Sequence, residues 1–179
     1  MSNFNDPAGC DNLTELAAML LEQSQELISF ADTKAQLVLA ADALFATAVG
    51  GFEADRARGL FTSGTPLDDR LSIILILLAF GTLLVSVYYA LTVAKPNLTP
   101  TVHGSNLFFF GAILQRSENE FVDAFQKQSL EEARSAVLRE VYAKSHIAAR
   151  KFNLTHQSLN YLVWALVLWI AAQVISILG

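Results

Sequence analysis

The hydrophobic residues of this chain are gathered into long runs rather than spread evenly. Leu71 to Ala94 is 24 residues without an Asp, Glu, Lys, Arg or His, and Tyr161 to Leu178 is another 18. A bilayer core takes roughly 20 apolar helical residues. The first run spans it easily and the second with little tilt. A third run, 35–52, is rich in Ala and carries Asp42 near its middle. A central Asp costs about 2.5–3.5 kcal/mol on insertion scales, which neighbouring Leu and Phe offset. The pattern predicts about three transmembrane helices, over 35–52, 71–94 and 159–178.

The segments between these runs have their own periodicity. Residues 1–10 read as a loose tail, with Asn, Asp, Pro and Gly. Asp11 or Asn12 then offers an N-cap, with Glu15 placed for a capping box. Leu13, Leu16, Leu20, Leu27 and Phe30 share a heptad-like seam, interrupted by Gln23 and continued by Lys34 and Leu37. This predicts an amphipathic helix over 11–34 that packs on a partner helix. It enters the first span without a break, and Gly50-Gly51 is expected to stop it. Residues 53–70 are polar, with Gly59, Gly64 and Pro66, and read as a loop. Lys95-Pro96-Asn97 ends the second span.

Residues 95–158 form a charged helical region. Leu98 to Asn106 is an irregular link, followed by the aromatic knot Phe108-Phe109-Phe110-Gly111. A helix is expected from Asn119, with Phe121, Val122 and Phe125 grouped. Ser129 is an N-cap candidate, with Glu131 and Glu132 in the first turn where acids suit the helix dipole. Leu130, Ala133, Val137, Val141, Ala148, Phe152 and Leu159 then fall on one stripe. No Pro or Gly interrupts Leu130 to Leu178, so one long helix should run into the last span. The fold class is an all-α integral membrane protein whose N-terminal and central amphipathic helices form a cytoplasmic helical stalk.

Composition supports the membrane reading. The chain is 53% hydrophobic and 16% charged, against about 25% charged for soluble domains. Its net charge of −5 implies no wide basic surface for nucleic acid. The single cysteine, Cys10, cannot form an intrachain disulfide or a CxxC metal site. A free thiol fits a reducing cytoplasm. No cleavable signal peptide is expected, since the first 34 residues hold six acids and no base before Lys34. The segment from Lys95 to Asn160 holds eight Lys or Arg residues, and that from Glu53 to Arg70 holds three. The positive-inside bias therefore places the N-terminus and 95–158 in the cytoplasm, and 53–70 outside.

The sequence carries no HExxH, no P-loop and no nucleophile-elbow context. His103, His146 and His156 are too dispersed for a metal, so no enzyme and no metal site is expected. Lys34 sits where the first helix meets the membrane. It either snorkels to the interface or holds an anionic ligand. His146, Arg150 and Lys151 precede the last span at helical spacing. They suit lipid headgroups or, through Arg, a bidentate phosphate contact. The Phe108–Phe110 cluster suits core packing or a stacking platform for a base. An ionisable residue inside a membrane is a functional candidate. Asp42 lines a pore, binds a proton, contacts Ser86 or Gln173 of a neighbouring helix, or lies near water in a shallow span.

Three segments in order carry a resemblance: Ala31-Asp32-Thr33-Lys34-Ala35, then Asn106-Leu107-Phe108-Phe109-Phe110-Gly111, then Tyr142 through Lys144-Ser145-His146 to Arg150-Lys151-Phe152. Together they resemble the Pycsar effector transmembrane domain family, the membrane effectors of pyrimidine cyclase antiphage systems. The chain departs in having no Tyr in its aromatic knot, and in carrying Asp42. The resemblance implies a multi-pass protein of the bacterial inner membrane. It would sense 3′,5′-cyclic UMP or cyclic CMP made by a partner cyclase, impair the membrane and abort infection. A homo-oligomer is expected, since three spans enclose no aqueous path in a monomer. No other cofactor is expected. By chemistry, Lys34, Arg150, Lys151 and His146 suit the cyclic phosphate. Asp32, Thr33 or Asn106 suits the base edge or ribose, and Phe109, Phe110 or Tyr142 suits base stacking. The competing readings are a membrane scaffold that recruits a partner, and a small channel that uses Asp42.

Overall fold

The computed structural model describes the backbone of residues 7–59, 67–95, 107 and 113–178, and the side chains of 15–51, 70–95, 107 and 113–177. Among these residues the chain is all-helical. Helix α1 runs Pro7–Gly59, α2 Leu67–Ala94, α3 Glu118–Lys127 and α4 Leu130–Leu178. Among the described residues two stretches are long and apolar enough to cross a membrane, Arg70–Ala94 and, within α4, Leu130–Ile177. The expected first span, 35–52, lies inside α1 and is not one of the two; Gln36 and Asp42 dilute it.

Helix α1 is longer than the sequence pattern suggested. It starts at Pro7 rather than at residue 11, consistent with the fixed φ of proline suiting a first helical turn. It also passes through Gly50-Gly51 to Gly59. Neither of the two glycines has a positive φ, and open space surrounds both. A glycine costs a helix about 1 kcal/mol relative to alanine. That weakens a helix without ending it, and the left-handed conformation in which glycine commonly terminates helices is absent at both positions.

The chain divides into two compact units. Unit 1 comprises Met1–Phe30 and Pro96–Arg150; unit 2 comprises Ala31–Lys95 and Lys151–Gly179. In unit 1, Ala17 and Ser24 of α1 and Glu140, Ala143 and Ala148 of α4 are buried, as is Leu107. Lys144 of α4 lies 3.9 Å from Glu140 and donates to Gln25 of α1 at 3.4 Å. The predicted leucine seam is not the buried face here, since Leu16, Leu20, Leu27 and Phe30 are exposed. The buried positions of α1 are the small residues one step along, because small side chains let helix backbones approach closely.

Helix α3 has a full capping box. Ser117 donates from N and Oγ to Glu120 Oε2 at 2.9 and 2.8 Å, and Glu120 N donates back to Ser117 Oγ. The expected Ser129 cap of α4 has the same geometry with Glu132. The donated backbone and hydroxyl bonds hold both glutamates below the usual carboxylate range. A carboxylate depressed in the folded state adds stability above its ordinary value, about 4.3, and loses it as pH falls through the depressed value. Acidification below pH ~4 should therefore fray both helix starts. Amide exchange at the Ser117 and Ser129 N–H groups should speed up relative to mid-helix amides.

Unit 2 is a three-helix packing of α1, α2 and α4. Val49, Ile76 and Ala172, one from each helix, form its apolar centre, with Phe45, Leu75, Phe80 and Trp169 packed around them. Phe45 meets Trp169 edge-on with centroids 5.8 Å apart. Tyr89 stacks on Tyr161 at 5.5 Å. Ser72 donates to the Ala172 carbonyl at 3.0 Å. The outward faces remain apolar, with Leu77, Leu84, Leu91, Trp164, Val167 and Ile170 exposed. A continuous apolar face of this kind belongs against lipid rather than water.

Candidate functional site

Helix α4 begins at the Ser129–Glu132 cap, and its first four turns carry a groove in unit 1. The groove has a volume of about 690 Å³ and is lined by Glu131, Arg134, Ser135, Leu138, Arg139, Tyr142, Ala143 and His146. These residues fall on two neighbouring rows of i,i+4 spacing. One row is Arg134, Leu138, Tyr142 and His146; the other is Glu131, Ser135, Arg139 and Ala143. Residues four apart lie one above another on a helix face, so the sequence spacing puts all of the lining residues on one side of α4.

The chemistry of the groove is graded along the helix. Arg134 and Arg139 supply two permanent cations with planar donor forks. Tyr142 and His146 meet edge to face, with ring centroids 4.5 Å apart, and both rings are exposed. Arg139 is three residues from Tyr142, about 4.5 Å of helix rise. A small anion carrying an aromatic ring needs a cation and a stacking face within one or two turns, and this helix face provides both. Volumes of 300–1,000 Å³ are usual for small-ligand sites.

The other sequence-derived candidates lie elsewhere. Arg150 is exposed in unit 1. Asn106, Phe109 and Phe110 lie outside the described residues. Asp32, Thr33, Lys34 and Lys151 belong to unit 2. Lys151 Nζ donates to Asp32 Oδ1 at 2.5 Å, so its charge is compensated within the chain. Lys34 Nζ lies 5.9 Å from the Phe152 ring centre, and Thr33 is exposed. Among the described residues no cluster of three or more His, Cys, Asp or Glu is placed to hold a metal ion.

The Lys151–Asp32 pair is asymmetric, and that predicts an asymmetric response. The Lys151 side chain is 13% exposed and that of Asp32 35%. Removing Asp32 strands a largely buried cation, whereas removing Lys151 leaves a carboxylate that water reaches. Asp32→Ala should cost about 1–2 kcal/mol and Lys151→Ala about half as much. Thermal unfolding of the two variants and of the double variant in one detergent checks this; equal single effects would contradict it.

A family model described as the Pycsar effector protein domain matches residues 16–177. The chain belongs to this family. Its match covers all of the groove, the Lys151–Asp32 pair and both membrane-crossing stretches. No curated protein and no solved structure matches the chain. As a Pycsar effector it is an effector of antiphage defence rather than a cyclase, and its two apolar helices mark it as a membrane protein.

Arg134 and Arg139 are not among the sequence-derived candidates, whose cations sit next to a membrane span. The signal that finds them is the i,i+4 row itself. Arg134, Leu138, Tyr142 and His146 place a guanidinium, an aliphatic wall and two rings on one face of a helix with no Pro or Gly.

Proposed function

We propose that this chain senses a cyclic pyrimidine mononucleotide, cyclic UMP or cyclic CMP, in the groove of α4, and that binding leads it to impair the membrane. The observation that carries the reading is the groove of a Pycsar effector pairing Arg134 and Arg139 with the Tyr142–His146 rings. The arginines neutralise the cyclic phosphate with charge-assisted hydrogen bonds. Tyr142 offers the base a ring face, and His146 supports that ring from its edge. Lys151 is set aside from the phosphate role because Asp32 already neutralises it.

Residues 35–52 form the third span in this reading, and the positive-inside bias puts the groove on the cytoplasmic face of the bacterial inner membrane. The signal reaches it as the product of a partner cyclase. A homo-oligomer forms the membrane lesion, because three helices enclose no path alone. Ligand leverage is limited to differential affinity for the resting and active packings.

Calorimetric titration of detergent-purified full-length protein tests this, with cyclic UMP, cyclic CMP and cyclic AMP. Saturable binding of one pyrimidine with no cyclic AMP binding is the expected result. Folded protein that binds neither pyrimidine would overturn the reading.

A further inference from the structure

Three helices of unit 2 meet at a cluster of side chains that the nucleotide reading does not use. Asp42 of α1 is 1% exposed, and Ser86 of α2 and Ser158 of α4 are both 0% exposed. Ser158 Oγ donates to the Ser86 carbonyl at 2.8 Å. Ser86 Oγ stands 2.9 Å from the Ser158 carbonyl. The same Oγ stands 3.0 and 3.1 Å from the two Asp42 carboxyl oxygens, and 3.1 Å from Ser158 Oγ.

Counting hydrogens decides what these distances mean. The two serines supply two hydroxyl hydrogens. The first is committed to the Ser86 carbonyl. Ser86 has one hydrogen, and both the Ser158 carbonyl and the Asp42 carboxyl lie within reach of it. If Asp42 is a carboxylate, one of those contacts is oxygen against oxygen with nothing between. A proton on Asp42 supplies a third hydrogen, so that Asp42 and both carbonyls are bonded. Only the second Asp42 oxygen and Ser158 Oγ then remain beside Ser86 Oγ at 3.1 Å, an ordinary van der Waals separation. The circuit then closes: Asp42 donates to Ser86 Oγ, Ser86 donates to the Ser158 carbonyl, and Ser158 donates to the Ser86 carbonyl.

The surroundings favour the same state. Apart from Asp42 itself, no charged residue occurs from Ala35 to Gly51, from Leu71 to Ala94 or from Gln157 to Leu178. His156, two residues before Ser158, is exposed and bonded to Asn160. Lys34 is eight residues from Asp42, about 12 Å of helix rise. Without a partner cation, a buried charge is costly and a neutral acid is the stable form.

We infer that Asp42 is a proton-binding site, held as a neutral carboxylic acid that donates to Ser86 and so latches α1, α2 and α4 together. The latch opens when water reaches Asp42 and takes the proton, because the resulting carboxylate and the Ser158 carbonyl then compete for the single Ser86 hydrogen. The site binds no nucleotide and stands whether or not the groove does.

The test uses infrared difference spectroscopy on the full chain in lipid nanodiscs at neutral pH, without nucleotide. Wild type minus Asp42→Asn should show the carbonyl band of a hydrogen-bonded protonated carboxyl, shifted down in heavy water. Asparagine keeps a donor toward Ser86, so the variant should stay folded by circular dichroism. If it does not fold, Ser86→Ala gives the second measurement, because losing the acceptor should move the same band to higher frequency. A wild-type spectrum without a protonated-carboxyl band overturns the inference. So does a band that Ser86→Ala leaves in place.

Discussion

Replacing Arg134 and Arg139 together with alanine should abolish pyrimidine nucleotide binding while leaving the helices folded. A hydrogen bond to a charged group contributes about 1.5–3 kcal/mol. Two of them together amount to about 3–6 kcal/mol, or roughly 10²- to 10⁴-fold in affinity. Neither arginine is buried, so their removal opens no cavity and strands no buried partner. Tyr142→Ala is the informative companion. Losing one base-stacking face costs about 1–3 kcal/mol, so it should weaken binding without removing it. Titration of the three proteins separates the roles, with circular dichroism to confirm equal helix content. Arg134→Ala/Arg139→Ala protein that binds as tightly as wild type would place the phosphate elsewhere. Arg150, exposed at the end of unit 1, would be the next cation to replace.

The parts of this protein that the sequence reveals are those set by local rules. The end of α2 at Ala94 follows from Lys95-Pro96. The Ser129–Glu132 cap follows from spacing alone, as does the unbroken α4. The apolar run of α2 is read directly from its composition. What the sequence conceals is which face turns inward. The leucine seam of α1 scores as the packing face by size and period. Yet over the length of that seam Ala17, Ser24, Ala31, Ala35 and Val38 are the buried positions. Close helix packing selects small residues, and a hydrophobicity pattern weights large ones. The groove was hidden for a different reason. Arg134 and Arg139 look like ordinary solvated charges one at a time, and gain meaning only as members of adjacent i,i+4 rows. Lys151 misled in the opposite sense. It reads as a free cation until Asp32, 119 residues away in sequence, is found bonded to it. Pairings at that separation are set by how helices cross, which no local pattern encodes. For Asp42, the sequence offered Ser86 or Gln173 as a partner, and the structure pairs it with Ser86.

Ser86→Ala should destabilise the helical packing of unit 2 more than any other single serine replacement there. Ser72, Ser86 and Ser158 each bond across helices in this unit, and they differ in what each leaves behind. Ser72 makes one bond, to the Ala172 carbonyl. That carbonyl lies within a helix and keeps its backbone donor, so Ser72→Ala loses about 0.6 kcal/mol, the average for such bonds in membranes. Ser158→Ala removes one donor to the Ser86 carbonyl, but Ser86 keeps both the Ser158 carbonyl and Asp42. Its cost should be close to that of Ser72→Ala. Ser86→Ala removes the hub: Asp42 loses its hydrogen-bond partner at a fully enclosed position. An unsatisfied buried polar group costs about 1–3 kcal/mol, and the lost contact to Ser158 adds to it. The expected order is Ser86→Ala well above Ser158→Ala and Ser72→Ala, read as unfolding midpoints in one detergent at one protein concentration. The double variant Asp42→Leu/Ser86→Ala sharpens the argument, since it removes the stranded group as well as its partner. It should recover much of the stability that Ser86→Ala loses, because an apolar side chain in the same space leaves nothing unsatisfied. If Ser86→Ala proves no worse than Ser72→Ala, the crossing is held by apolar packing around Val49, Ile76 and Ala172, and the polar cluster contributes little to it.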